Sequence, residues 1–335
     1  MPQDGGVLTA FYRDRSMLNR RRWPMKVAVV GAGAIGGFYG LMLARAGHEV
    51  HFVVRGDYQH IRDSGMQLIS ASEGDFRLSP VNVYPDARSL PSCDLVLVAT
   101  KTTSNEALAP ELAKVVGAGS AVVLLQNGFG VEEVYRRHLP ESVHLLGGLC
   151  IVSVHREGPG IIHHFGLGAL NVGYHSGDQS QRDAIERKVE SVFHEAGVEL
   201  LLMPDLITAR WQKLVMNIPF SGLTVLLNSG TKALMTHPDT RVLVRQLMEE
   251  VEAAAARCGR ALPAGYLDEA WAKTDGQPDY QSSMQVDFNA GRPLELDSIY
   301  QAPLAAVAAM GGAMPKVEML YQSLLFLNQR NLRQQ

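Results

Sequence analysis

The chain has little cysteine, three residues in 335. Cys93, Cys150 and Cys258 stand far apart, in neither C-x-x-C nor metal-ligand spacing. They exclude a disulfide framework and a cysteine-held metal, and read as small packing residues of a reducing, cytoplasmic compartment. No apolar run approaches the roughly 18 residues of a membrane span without a charge or a break. Neither sign of charge dominates: 31 basic residues face 34 acidic ones, for a net charge of -3. Nothing therefore draws the chain as a whole to nucleic acid or to an anionic membrane. Repeats and low-complexity tracts are also missing. What is present is an ordinary globular composition, 46% hydrophobic and 19% charged, at a length that suits two domains.

Residues 1–24 hold Arg13, Arg15, Arg20, Arg21 and Arg22 but no apolar core, which excludes a secretory signal. Asp4 and Asp14 weigh against a transit peptide. The expectation is a flexible basic extension, with Met25 as an alternative start.

The rest of the chain is organised around Met25 to Arg55. Apolar Val27 to Val30 reads as a strand buried on both faces. It runs into Gly31-Ala32-Gly33-Ala34-Ile35-Gly36, then a helix over Phe38 to Ala46 and a second strand over Glu49 to Val54. Strand, glycine turn, helix and strand within about 30 residues is the setting in which G-x-G-x-x-G binds a dinucleotide. Gly31 allows the tight turn, Gly33 the approach of a pyrophosphate, and Gly36 close packing of helix on strand. The amides of Ala34 and Ile35 open the helix towards the phosphates. An NAD site usually ends its second strand in Asp or Glu. Here that place is Arg55, and the next acid is Asp57. A guanidinium matches a 2′-phosphate, which favours NADPH. The competing reading is an arginine solvated at a strand end.

Further strands are expected over Gln67–Ser70 and Phe76–Tyr84, hairpin-like around the Ser72-Glu73-Gly74-Asp75 turn. Others are expected over Asp94–Ala99, Ala121–Leu125, His144–Val154 and Val198–Met203, with a second hairpin over Ile161–Tyr174. Helices are expected over Tyr58–Ser64, Ser104–Val116, Val131–His138 and Gln179–Gly197. This alternation predicts a doubly wound, parallel Rossmann-type sheet over 25–204. Ligands of such sheets sit beyond the carboxyl ends of the strands, where Lys101 and Asn127 stand. Lys101 suits phosphate or ribose oxygens, and Asn127 the nicotinamide ribose or the substrate. The competing reading of each is a polar strand-end residue facing water. His163 and His164 are adjacent on a strand, face opposite ways and cannot share a metal.

From Asp205 to about residue 330 the pattern is helical, predicting an all-helical second domain. Helices are expected from Asp205 to about Leu227 with a kink at Pro219, and over Asp239–Cys258, Tyr266–Thr274, Ser282–Ala290, Ala302–Gly311 and Val317–Asn328. Apolar helices there permit a homodimer without requiring one. Lys213 sits on an otherwise apolar helix, with Asn217 one turn on and Ser221 a turn further. Alone, such a lysine would snorkel to water. In a polar stripe facing the cofactor crevice, it suits a group that stabilises an alkoxide forming on a substrate carbonyl. Polar clusters stand further on, at Ser282 to Asp287 and at Glu295 to Ser298. The competing reading is helix capping, by Ser282 or Ser283 and by Glu295 with Asp297.

Together these segments resemble the ketopantoate reductase family, the 2-dehydropantoate 2-reductases, over Met25 to about Arg330. The resemblance rests on G-A-G-A-I-G, Arg55, Lys101-Thr102, Gln126-Asn127-Gly128, K-x-x-x-N at Lys213 and Asn217, S-S-M at Ser282 to Met284, and E-x-D at Glu295 to Asp297. It implies reduction of 2-dehydropantoate to pantoate with NADPH, in pantothenate synthesis. It implies that Lys213 polarises the keto group and supplies the proton, and that Glu295 helps hold Lys213 and the substrate hydroxyl. Asn127 and Asn217 would position substrate and nicotinamide, Ser283 the substrate carboxylate, and Arg55 and Lys101 the NADPH phosphate and ribose. Two positions depart from the family pattern: Ser221 stands where a second asparagine is common, and Leu294 where threonine is. Serine is shorter and lacks the amide, so the distal hydroxyl of the substrate would be held differently. Two rival readings are a reductase of another branched 2-oxo acid and a non-catalytic NADP(H) sensor.

Overall fold

The computed structural model describes residues 24–275 and 279–333. The expected extension therefore lies, but for its last residue, outside the described residues. Strand β1 (Lys26–Val30) leads through the glycine turn into helix α1 (Ala34–Arg45) and strand β2 (Glu49–Val53). The apolar run of β1 is almost wholly buried, as a strand covered on both faces must be. Helix α1 begins at Ala34, a turn earlier than its apolar pattern suggests, because the glycines themselves are helical.

Helix α2 (Tyr58–Ser64) and the antiparallel pair β3 (Met66–Ser70) and β4 (Phe76–Leu78) come next. The expected strand Phe76–Tyr84 is divided. Its second part, β5 (Asn82–Tyr84), crosses to the far edge and pairs with β2. The chain continues through β6 (Leu95–Val98), α3 (Asn105–Leu112), β7 (Ala121–Leu124), α4 (Val131–Arg136), β8 (His144–Gly158), β9 (Ile161–Ser176), α5 (Arg182–Glu195) and β10 (Leu200–Met203). The ten strands form one sheet in the order β4-β3-β9-β8-β7-β6-β1-β2-β5, with β10 beside β9.

The sheet is mixed and mostly parallel. Its centre is parallel as expected, the antiparallel β3–β4 pair is the expected hairpin, and the antiparallel β8–β9 pair departs from the parallel pattern. Residues 161–174 are also not a hairpin: β9 is one strand, and the reversal lies between β8 and β9. Gly166 and Gly168 mark an irregularity of register within β9 rather than a turn, since glycine in a strand serves a bulge as readily as a reversal.

Beyond Met203 the described chain is helical. Asp205 caps α6 (Leu206–Leu226), its carboxylate accepting from the Thr208 amide at 2.6 Å. Then come α7 (Thr231–Thr236), α8 (Pro238–Arg257), α9 (Tyr266–Thr274), α10 (Ser283–Asn289), a π-helical turn (Asp297–Gln301), α11 (Ala302–Ala309) and α12 (Pro315–Leu332). Helix α7 is too short to carry a readable period. Helix α6 is the spine of this region, with Trp211, Val215 and Ile218 fully buried. Pro219 lies inside it, and the Tyr300 hydroxyl donates to the neighbouring Ile218 carbonyl at 2.8 Å.

Glycine seats this spine on the sheet. Gly147 and Gly173 face each other across β8 and β9. A Cβ on Gly173 would lie 2.8 Å from Leu206 Cβ, and one on Gly147 2.7 Å from Leu206 Cδ1. Side chains at that pair would lift α6 off the sheet and move Lys213 with it.

Candidate active site

The glycine turn has the form a dinucleotide requires. Gly31 has φ +97°, left-handed backbone suited to glycine, and its amide donates to the Val53 carbonyl at 3.1 Å. A Cβ on Gly36 would stand 2.1 Å from the Gly31 carbonyl oxygen, so α1 can cross β1 this closely only without a side chain. Gly33, by contrast, has nothing within 4 Å of where its Cβ would be. The open side of the turn is thus at Gly33, where a pyrophosphate would approach. Ala34 and Ile35, half-buried, begin α1, whose first turn has no capping side chain and no acid. Its amides and positive dipole end remain available to an anion.

Arg55 is exposed just beyond β2 and has no hydrogen bond or ion pair among the described residues. Asp57, the nearest acid downstream, is paired with Arg156 of β8. A carboxylate ready to receive a ribose 2′-hydroxyl is therefore missing from this strand end among the described residues.

Lys101, after β6, reaches the helical region. Its ammonium lies 2.6 Å from Asp287 Oδ2 and 3.4 Å from Glu295 Oε2. Burial opposes its charge, but the two carboxylates outweigh burial and raise the pKa above the ordinary lysine value. Glu295 also accepts from the Thr102 amide at 2.8 Å, and Asp287 from Arg292 at 2.9 Å. The Thr102 hydroxyl meets that of Ser298, on the π-helical turn, at 3.0 Å. Both carboxylates are buried. The expectation that Glu295 holds Lys213 is corrected here: Glu295 bonds Lys101 and Thr102, whereas Lys213 bonds the Cys150 carbonyl. Nor does Glu295 cap the next helical turn, whose start has no capping side chain.

Lys213 projects from α6 towards β8, and its ammonium donates to the Cys150 carbonyl at 2.7 Å. Burial lowers its pKa from the ordinary 10.5, the Cys150 thiol opposes that, and nearby Arg210 adds to it. The lysine is thus not snorkelling. It is held through one N–H, with two N–H directions left for a ligand.

Asn127 and Asn217 are half-buried, and neither side chain bonds another described residue. Gln126, before Asn127, is by contrast locked: its amide donates to Asn105 Oδ1 at 2.7 Å and to the Thr100 carbonyl at 2.9 Å. Gly128 has φ +109°, and a Cβ there would collide with Ser298 at 2.4 Å. The Phe129 amide donates to the Ser298 carbonyl at 2.8 Å, and its ring lies 4.8 Å from Trp211. The turn bearing Asn127 is therefore clamped between sheet and helices. Ser221 is buried. The two serines of S-S-M divide: Ser282 caps α10, accepting from the Gln285 amide at 3.1 Å, while Ser283 is exposed.

Sequence reasoning missed the contributions of Asp287, Thr102, Ser298 and Arg210. Asp287 stands four residues after Ser283, and Arg210 three before Lys213, each on the helix face of a residue already singled out. Two surface hollows elsewhere, of about 240 Å³ beside Arg257 and about 330 Å³ beside His175, hold none of the expected site residues.

Comparison with known proteins decides the kinship. The family described as "Ketopantoate reductase PanE/ApbA" matches residues 27–177, and its C-terminal counterpart matches residues 205–328. A 2-dehydropantoate 2-reductase of a Nostoc species is 40% identical over 308 residues, covering 91% of this chain and 96% of that protein. The chain belongs to the ketopantoate reductase family. Solved structures agree. The 2-dehydropantoate 2-reductase of Geobacter metallireducens superposes with a TM-score of 0.82 at 37% identity, over 91% of this chain and 99% of that one. That of Methylococcus capsulatus does so at 0.80 and 31%, over 92% and 98%. The resemblance found in the motifs thus extends to almost the whole described fold.

Proposed function

We infer that this chain is an NADPH-dependent 2-dehydropantoate 2-reductase that forms pantoate, in pantothenate synthesis. Family membership and full-length identity with the Nostoc reductase support the reaction. The observation that carries the chemistry is Lys213, a half-buried ammonium held on the Cys150 carbonyl of β8, just beyond the carboxyl end of β7.

The cofactor is a nicotinamide dinucleotide, which supplies a hydride to the keto carbon when bound. Our choice of NADPH over NADH rests on Arg55, exposed and unpaired among the described residues, and on Asp57, already engaged by Arg156. Gly31, Gly33, Ala34, Ile35 and Gly36 would receive the pyrophosphate. As negative charge builds on the keto oxygen, Lys213 would donate a hydrogen bond and then the proton. A lowered pKa eases that transfer, and exclusion of water strengthens the ammonium's effect.

Asn127 and Asn217 would orient substrate and nicotinamide ribose, since neither amide is occupied by the described protein. Ser283, exposed at the start of α10, would take the substrate carboxylate. Glu295 would act through Lys101 and Thr102 and reach the substrate hydroxyl. Lys101 would have to share its ammonium between those carboxylates and the cofactor. Ser221 would meet the distal part of the substrate. We divide the chain accordingly, 25–204 for the cofactor and 205–330 for the substrate. A homodimer belongs to the same reading, with exposed Met319 and Phe326 of α12 as its apolar surface, and a cytoplasmic setting suits the free thiols.

The test is an assay of 2-dehydropantoate and other branched 2-oxo acids, followed by loss of reduced-nicotinamide absorbance. Preferred turnover of 2-dehydropantoate with NADPH is expected. Preference for another branched acid would trace to Ser221, and turnover of none would remove the reductase reading. Light scattering of the purified protein tests the dimer.

A further inference from the structure

Arg210 lies one turn before Lys213 on α6. Its side chain is 2% exposed, and that of Glu132, its partner from α4, is 1% exposed. The guanidinium donates to Glu132 Oε1 through Nε, at 3.1 Å, and through Nη2. Its third arm, Nη1, donates to the Gln126 carbonyl at 2.5 Å. Gly147 makes the room: a Cβ there would lie 2.4 Å from Glu132 Oε1 and 2.9 Å from Arg210 Nη2. A pair this deep gains little net stability, because desolvation consumes the Coulombic attraction. What a planar fork provides is direction. The carbonyl it holds belongs to the residue just before Asn127, and the helix it stands on carries Lys213.

We propose that Arg210, with Glu132, is a positioning residue of the reaction, tying the Lys213 helix to the Asn127 turn and setting the charge that Lys213 faces. This rests on the reductase reading above. The groups around Lys213 come from four elements: Arg210 on its own helix, Cys150 on β8, Tyr39 on α1 beside that thiol, and Glu132 on α4 behind Arg210. Burial pushes the Cys150 thiol up to about 11 and the Tyr39 phenol up as well, so both are neutral at neutral pH. Among the described residues, the charges left to act on Lys213 are those of Arg210 and, through it, Glu132.

Each charge fixes the sign of its effect. Glu132→Gln leaves a positive neighbour uncompensated and should lower the midpoint at which Lys213 gains its proton. Arg210→Met removes that neighbour, leaves a carboxylate, and should raise the midpoint. Each shift should be about one pH unit. The double variant carries no unpaired buried ion and should fall between. Arg210→Lys keeps the charge but cannot fork, so its midpoint should stay near the parent's. Its turnover should fall up to about a hundredfold through misplacement of Asn127, with NADPH affinity little changed.

The midpoints are read on the full-length protein by trace acetylation of Lys213 across pH, with mass spectrometry of its peptide, which needs no turnover. Opposite displacement by the two single variants, with impaired turnover in Arg210→Lys, is the expected result. Equal midpoints in all variants, or parental turnover in Arg210→Lys, would overturn the proposal. Separated midpoints in a parent protein that reduces no 2-oxo acid would uphold the electrostatic placement and remove the reductase reading instead.

Discussion

Lys213 and Arg55 make the most direct demands on experiment. Replacing Lys213 by alanine removes the ammonium bonded to the Cys150 carbonyl and leaves the glycine turn untouched. Turnover should fall by about two to four orders of magnitude, the usual worth of a positioned acid, with the dissociation constant for NADPH unchanged. Normal turnover would dismiss Lys213 from the chemistry. The pH profile tests the same residue. A proton donor must enter the reaction protonated, and burial lowers the pKa of Lys213 below 10.5. The rate of reduction should therefore decline with rising pH on a limb centred below 10.5, and this limb should vanish in Lys213→Ala. Arg55→Ala should weaken NADPH by about tenfold or more while sparing NADH, the loss of one charge-assisted contact to a phosphate. Equal weakening of both would show that Arg55 does not read the 2′-phosphate.

Among elements, the turn from β1 into α1 is the least tolerant. Its sequence pattern announces a close crossing, and the crossing is closer than a Cβ allows: 2.1 Å from Gly36 to the Gly31 carbonyl oxygen. Gly36→Val should displace α1, lower the melting temperature by several degrees and abolish dinucleotide binding, all seen by calorimetry with and without NADPH. Retained binding would mean that α1 does not carry the pyrophosphate. The β8–β9 ribbon is the contrasting case. Its glycines, read along the chain, suggested a turn at 166–168. Which glycine turns and which bulges depends on the strand alongside, and that strand is only known once β3 and β8 flank β9.

Two ionic links that no local pattern reveals join the sheet region to the helical region. One is the buried Arg210–Glu132 pair, and the other the bridge from Lys101 to Asp287 and Glu295. Lys101 is 44% exposed along its side chain, so water screens part of the attraction. Lys101→Met should still destabilise the fold by about 1–2 kcal/mol, because Glu295 keeps only the Thr102 amide and Asp287 only Arg292. Denaturant unfolding measures this. The lysine pKa is raised in the folded protein, so the bridge contributes fully below the unfolded-state pKa of lysine. Its contribution is lost as pH climbs through the raised value. Stability that is unchanged in Lys101→Met at neutral pH would show that the bridge is incidental.

By itself the sequence determined what depends on near neighbours. The buried run and the glycine spacing specify the tight turn from β1 into α1, because turn geometry and helix ends are local physics. The motif order marks the family, and the apolar helix places Lys213, Asn217 and Ser221 on one stripe. The tertiary structure alone decided which charge meets which. Glu295 was expected beside Lys213 and is bound to Lys101 and the Thr102 amide instead. Asp287 and Arg210 took roles that no spacing assigned. Such pairings join residues tens to hundreds of positions apart, and a buried charge takes whichever opposite charge the packing brings within reach. Helical and strand periods say which way a side chain faces, but only the seating of α6 on Gly147 and Gly173 says what it faces.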